Sequence, residues 1–516
     1  MKHLLFLIIT LHGFLFFAQQ NSVLINSFFK DRLLDNSDSN QYRGTGFLPV
    51  FESEYDLNKV IRDSSKQFYT LTNILFKKHL FELKGENYFL TISPVADLTL
   101  GKDRTDTTGR RLFQNTRGIF IEGDLLKSFS FSTAVYENQA RFSSYETAYY
   151  SSIGELYPNQ SAGTYSMQNA VIPGAARTKP FKIDGFDYAY AVGNIIYRPH
   201  RSIILSAGNT AHFIGDGYRS LLLSDNSVPA PFLRAVIKLS KKWEFNYLRM
   251  RLFNLIRRPI SSSVESYYES KSFAANYISY SPNDKFSISL FEGVIWSKGD
   301  SITSKQVHPL YYSPIPGTAL AMLSKAEMNY LLGLNFNYTP LLGHRIYGQV
   351  AATNLALSKL GFQIGYRRYS LFGQKNLLLQ VEFNHVPKGM YQTGNTRMNY
   401  SYYNLPMAAV KGSGFEELIV RLNHEWNRCY IDEKLVYYSL NKYIPNSLLP
   451  ITVNSAPING NIVINQVELG YRFNKKMNLT VFGNWQVRSE KTSDDKLNNL
   501  LFVGFRTGIL NHYNDF

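Results

Sequence analysis

Apolar and polar residues alternate with period two in segment after segment of this chain. Near its end Val467, Leu469, Tyr471 and Phe473 interleave with Gln466, Glu468, Arg472 and Asn474. Beyond Lys475 and Lys476, the apolar set Met477, Leu479, Val481, Trp485 and Val487 interleaves with Asn478, Thr480, Asn484, Gln486 and Arg488. Period two marks a strand whose two faces meet different surroundings, and two such runs across a tight break read as a hairpin. The pattern returns at Tyr88, Leu90, Ile92, Ala96, Leu98 and Leu100, and at Phe129, Phe131 and Val135. Later come Leu233 to Leu239, Phe286 to Leu290 and Leu332 to Tyr338, then Leu377 to Phe383 set against Gln380, Glu382 and Asn384.

Alternation alone also suits a soluble sandwich, so the connections decide the class. Short turns fall at Leu125 to Lys127, Arg198 to His200, Lys241 and Lys242, Ser281 to Asp284, Thr339 to His344, Leu371 to Lys375, Asn427 to Cys429, and Lys475 and Lys476. Longer connections lie between them, at 101–114, 137–187, 211–232, 254–271, 297–327, 387–413, 441–461 and 489–498, and only the one near 356–359 is short. Short turns on one side and long loops on the other are the pattern of an outer-membrane barrel. The mean hydropathy is -0.21, and after residue 20 no apolar run is long enough for a spanning helix, which leaves strands to cross a bilayer. The expectation is an all-β fold, a transmembrane antiparallel barrel of about eighteen strands with a short helical N-terminal segment, both ends periplasmic. Phe516 suits the aromatic ending read by the insertion machinery.

Lys2 and His3, the apolar stretch from Leu4 to Phe17, and Ala18-Gln19-Gln20 read as a secretory signal, so 1–18 is expected to be a signal peptide in a gram-negative bacterium. No Cys stands there for a lipid anchor. Residues 19–85 are expected to form a periplasmic or lumenal segment and 86–516 the barrel. Within the former, Ser53 and Asp56 suit a helix start, and Tyr55, Val60, Phe68, Leu71 and Leu75 fall at helical spacings. One or two short helices there would plug the lumen or lie at the periplasmic rim; a leader to the first strand is the plainer alternative. Cys429 is the only cysteine, so no internal disulfide and no cysteine-based metal site is available. The net charge of +16 calls for anionic neighbours. In an exported chain these are lipopolysaccharide phosphates or an acidic polysaccharide rather than nucleic acid; solvated loop charge is the alternative.

The most unusual segment runs from His212 to Pro231, in the outer loop expected between the fifth and sixth strands. Gly215 and Gly217 permit tight turns, and Leu221 to Leu223 predict a loop that folds inward and packs. Asp216, Tyr218, Arg219, Asp225 and Asn226 offer charged, hydroxyl and amide groups, either for a ligand or for a hydrogen-bonded constriction. Gly215-Asp216-Gly217-Tyr218 leading through Leu221-Leu222-Leu223-Ser224-Asp225-Asn226 to Pro229 resembles the central motif of the Wzi capsule-assembly family. That resemblance implies an eighteen-stranded barrel with a helical N-terminal part that retains polysaccharide at the cell surface, by lectin-like binding and without catalysis. Barrels of this kind also occur among gliding bacteria, which implies an alternative role beside motility or export machinery. Ser227 stands where a small Ala is expected. The loop 137–187 adds Tyr145, Tyr149, Tyr150, Tyr157 and Tyr165 among Ser, Asn and Gly, a composition that suits sugar rings as well as any outer loop.

Enzyme signatures are thin. Ser224-Asp225-Asn226 lacks the companion motifs of a β-lactamase, no His-Glu-x-x-His occurs among the 10 histidines, and Gly215-Asp216-Gly217 is followed by no phosphate-loop lysine. The expected function is therefore non-enzymatic and free of cofactor: a barrel that binds or organises capsular or exopolysaccharide. A gliding or secretion accessory, a diffusive porin and, last, a barrel hydrolase are the alternatives.

Overall fold

The computed structural model describes residues 21–22, 25–35, 46–54, 79–126, 128–159, 161, 163–257, 268–298, 306–323, 327–508 and 511–516. The expected signal peptide and the helical spacings from Tyr55 to Leu75 lie outside them.

Eighteen antiparallel strands close into one barrel. They are β1 (Tyr88–Asp103), β2 (Arg111–Leu125), β3 (Phe129–Arg141), β4 (Gly185–His200), β5 (Ile203–Thr210), β6 (Ala230–Lys238), β7 (Trp243–Arg257), β8 (Tyr268–Asn283), β9 (Phe286–Ser297), β10 (Met328–Tyr338), β11 (His344–Thr353), β12 (Leu360–Tyr369), β13 (Leu377–Val386), β14 (Phe415–Trp426), β15 (Cys429–Tyr443), β16 (Ile458–Asn474), β17 (Leu479–Lys491) and β18 (Asp495–Thr507). Each pairs with its neighbour, and β18 returns to β1 with Phe505 opposite Leu98 and Val503 opposite Leu100. Closure satisfies the backbone without a free edge.

The period-two sets sort by face. Leu233, Leu290, Leu334, Ile364, Leu469 and Val503 are exposed on the outer wall, whereas Asn335, Gln349, Gln363, Glu382, Asn384 and Glu417 are buried inside. Trp243 and Tyr280 pack at 4.5 Å near the turn side of the wall, where Trp426 and Tyr338 are also exposed, as an interfacial aromatic belt requires. The short turns stand where the sequence placed them. One expected long connection does not: β17 and β18 are joined by 492–494 alone, because Lys491 already pairs with Asp495 and the strands run on through the polar residues taken for a loop.

The lumen is filled from three directions. Helix α1 (Ser27–Leu34) begins at Asn26, whose side chain accepts from the Phe29 N–H, and it buries Phe28, Phe29, Leu33 and Leu34. Its Asp31 lies between Arg367 at 2.8 Å and Arg421 at 2.6 Å, on β12 and β14, so this part of the N-terminal segment is lumenal. Phe47 and Leu48 pair antiparallel with Ile214 and Phe213, joining that segment to the inward loop between β5 and β6. From above, the loop between β3 and β4 lowers helix α2 (Ser144–Ser151), with the Glu146 carboxylate accepting from the Ser143 N–H. The third contribution corrects an expectation. Phe516 does not end a strand: β18 stops at Thr507, and residues 511–516 turn back into the lumen, where Phe516 packs 4.4 Å from Tyr149 and 5.7 Å from Tyr145. Buried in a cluster with Tyr150, Tyr188 and Tyr190, this ring gains more there than at a wet rim.

Candidate functional site

The loop between β5 and β6 reaches the opposite wall because its backbone can approach closely. Gly215 has a φ of +118°, and a Cβ there would lie 2.4 Å from Gln349 Nε2. Its N–H donates to Gly46 O at 2.7 Å, and Ile214 N–H donates to Leu223 O at 2.9 Å, so the loop is a closed turn tied to the N-terminal segment. Leu221, Leu222 and Leu223 are buried in a core with Leu248, Phe273, Phe291 and Leu331 of the wall and with Met407 of the loop after β13. Polar wall residues fix the backbone: Gln349 accepts the Leu221 N–H at 2.7 Å and donates to Ile214 O at 2.8 Å.

The candidate residues divide. Tyr218, Arg219 and Asp225 converge on 511–516. Tyr218 N–H donates to Glu382 Oε2 at 2.6 Å and Arg219 N–H to Glu382 Oε1 at 3.0 Å. The Arg219 guanidinium reaches Glu417 at 3.0 Å, Asp515 at 2.9 Å and the Tyr438 hydroxyl at 3.0 Å. Lys434 pairs with Asp515 at 2.7 Å and donates to the Tyr218 hydroxyl at 2.9 Å. Asp225 accepts from Asn511 at 2.9 Å and from the Tyr513 hydroxyl at 2.7 Å. Asp216 stands apart, paired with Arg345 at 2.8 Å, and Asn226 donates to Pro406 O at 3.0 Å. Burial alone would raise the Asp515 carboxyl, but Arg219 and Lys434 outweigh it and hold the group well below the ordinary carboxylate range. Burial, then the Asp515 charge, push the Tyr218 phenol up to about 12.

Sequence reasoning missed the other half of this network. Glu382 and Asn384 were visible as the polar members of an alternating strand, and Glu417, Lys434 and Tyr438 sit at equivalent inward positions. Their convergence on one loop is a matter of barrel register, which no local pattern carries.

Beside the braced loop the lumen keeps a cavity of about 360 Å³ that extends from α1 to α2 along β1–β4 and β14–β18. Gln114, Tyr136, Asn138, Tyr188 and Tyr218 line it, together with Glu146 of α2. The Asn138 amide donates to Tyr188 O at 3.1 Å, and its oxygen accepts from Thr116 at 2.6 Å. Flat phenol rings beside amides are the chemistry that meets both faces of a sugar, its C–H patches and its hydroxyls. Among the described residues no cluster of metal-ligating side chains occurs.

No family model matches the sequence, and no curated protein matches it. Among solved structures the chain is similar to Wzi of Escherichia coli, described as an outer-membrane protein involved in group 1 capsule assembly and a carbohydrate-binding β-barrel. The identity is 12%, the TM-score 0.54, and the match covers 94% of this chain and 98% of that one. OccK2 (OpdF) of Pseudomonas aeruginosa, solved with glucuronate, matches at 10% identity and a TM-score of 0.43 over 80% and 97% of the two chains. OpdK of the same organism, solved with vanillate, matches at 11% and 0.43 over 81% and 98%. The fold is thus that of the Wzi barrel, a fold of gram-negative outer membranes.

Proposed function

We propose that this chain is a non-catalytic outer-membrane barrel that binds and organises capsular or exopolysaccharide at the cell surface. The observation that carries the reading is the polar, tyrosine-lined cavity left beside a braced loop, in a fold shared with a carbohydrate-binding barrel. In this reading Tyr218 contacts sugar together with Tyr136, Asn138 and Tyr188, while Asp216, Arg219, Asp225 and Asn226 hold the loop that forms one side of the cavity. The described lumenal segments, α1, the inward loop, α2 and 511–516, support a binding barrel over a diffusive porin.

Binding of short oligosaccharides from the host's surface polysaccharide tests it, since long chains mask the loss of one contact through avidity. Asn138→Ala and Tyr188→Phe should each weaken binding by about two- to tenfold, the value of a neutral hydrogen bond. Arg219→Ala should instead lower heat resistance and leave binding per folded molecule nearly unchanged. Unaltered affinity in an inserted double variant of Asn138 and Tyr188 would remove the cavity as the site and turn attention to Tyr157 and Tyr165 of the outer loop.

A further inference from the structure

The connection between β9 and β10 does not stay at the rim. Its residues 306–323 lie against the outside of the barrel, and they include no Asp, Glu, Lys or Arg in a chain that is 18% charged. The wall beneath is unusual for one that faces lipid. Leu248 and Met250 of β7, Phe273 and Ala275 of β8, and Phe291 and Ile295 of β9 belong to the lumenal core, so alternation sends Arg249, Asn276 and Glu292 outward. Yet Arg249 is only 4% exposed and Glu292 2%.

What covers them is the segment itself. The Arg249 guanidinium donates to the main-chain oxygens of Tyr311 and of Ser313, the latter at 2.6 Å, and to Asn276 Oδ1 at 3.1 Å. Asn276 donates to Glu292 Oε2 at 3.1 Å, and the Gly317 N–H reaches the same oxygen at 3.0 Å. The Tyr247 hydroxyl donates to Tyr312 O at 3.2 Å, and Trp296 stacks on His308 with planes 3° apart. Tyr247, cross-strand partner of Asn276, stands about 10 Å above the belt residue Trp243 on a tilted strand, inside an apolar band about 25 Å tall.

Hydrocarbon makes two demands at that depth: no bare charge and no unsatisfied backbone. The segment carries no Asp, Glu, Lys or Arg, and most of its N–H groups between Leu310 and Leu323 have partners. It removes donors at Pro309, Pro314 and Pro316, closes its own N–H groups in the short turns Pro309–Tyr312 and Leu320–Met322, and spends carbonyls on Arg249. The side chains it turns away from the wall are Tyr312, 62% exposed, Ile315, 63%, and Leu320, 39%. A protein partner is ordinarily recognised through several polar or charged groups, whereas the exposed side chains of residues 306–323 carry no charge, and Gln306 at the start of the segment is the exposed amide.

We propose that residues 306–323 form a flap embedded in the hydrocarbon of the outer leaflet, seated on the Arg249–Asn276–Glu292 network, with lipid acyl chains as its contact surface. This flap is no part of the water-facing surface, and it keeps Arg249 and Glu292, bridged by Asn276, dry on the outer wall.

The test uses the full chain in phosphatidylcholine vesicles with and without brominated acyl chains. In a Cys429→Ser background, an environment-sensitive fluorophore is placed at Ile315→Cys, at lipid-facing Leu290→Cys and at water-facing Thr108→Cys. Quenching by brominated lipid at 315 should fall within about twofold of that at 290, with iodide quenching lost as at 290 and retained at 108. Iodide quenching at 315 equal to that at 108 would overturn the proposal, and so would quenching by neither agent, the sign of cover by a second copy. An Arg249→Leu variant that still shows a heat-modifiable barrel should release the flap and restore iodide access at 315; unchanged lipid quenching there would refute the seat.

Discussion

At the residue scale the interior is held by charges that lack water and therefore depend on one another. Arg219 joins Glu417, Asp515 and Tyr438, and each loses its desolvated partner if the guanidinium goes. Breaking a buried pair from one side typically costs about 3–5 kcal/mol. Arg219→Ala and Asp515→Ala are thus expected to lower the temperature at which the folded band converts on gels, and the double variant to lose less than the sum, since both changes delete one coupling. His212 gives a different signature. Its ring lies 4.5 Å from Phe232 and 6.1 Å from Phe47, where burial, then Arg234, hold the imidazole well below its ordinary titration range. The unfolded chain takes the proton first, so the stability due to neutral His212 is complete above about pH 6.5 and lost as pH falls below it. Urea midpoints at pH 7.5 and pH 5 should differ more in the native chain than in His212→Phe; equal differences would show that this ring contributes nothing to the acid response.

At the element scale the inward loop and its wall were matched in shape. A Cβ on Gly333 of β10 would lie 2.2 Å from Leu222 Cδ2, so the missing side chain on the strand is the space the leucine occupies. Leu222→Ala should cost about 2–5 kcal/mol through the cavity it leaves. Gly333→Ala alone should destabilise by overpacking, and in the Leu222→Ala background it should restore part of the lost stability. Refolding yield and heat resistance measure both, and additive losses would mean that the two sites do not share that space.

At the scale of the whole molecule, α1, the inward loop, α2 and residues 511–516 occupy a lumen that an eighteen-strand barrel would otherwise leave open. The intact protein should fractionate with outer membranes, migrate faster unheated than heated, and show little steady conductance in planar bilayers. Removing 211–229 should raise that conductance. Large, stable currents from the unaltered chain would instead favour the transport reading.

The barrel was legible in the residues because a bilayer imposes a local rule: every second side chain of a spanning strand must be apolar, and turn length alternates between the two faces. Leu469, Tyr471, Val481 and Trp485 carry that rule without reference to the rest of the chain. Leu221 to Leu223 were legible too, since three leucines in a polar loop have only an interior to enter. The partners were not. Which carboxylates Arg219 pairs with, whether Phe516 ends a strand or turns into the lumen, and whether 306–323 lies against the outer wall depend on which strands closure brings opposite each other. Those are contacts between residues far apart in the chain, so only the tertiary structure decided them.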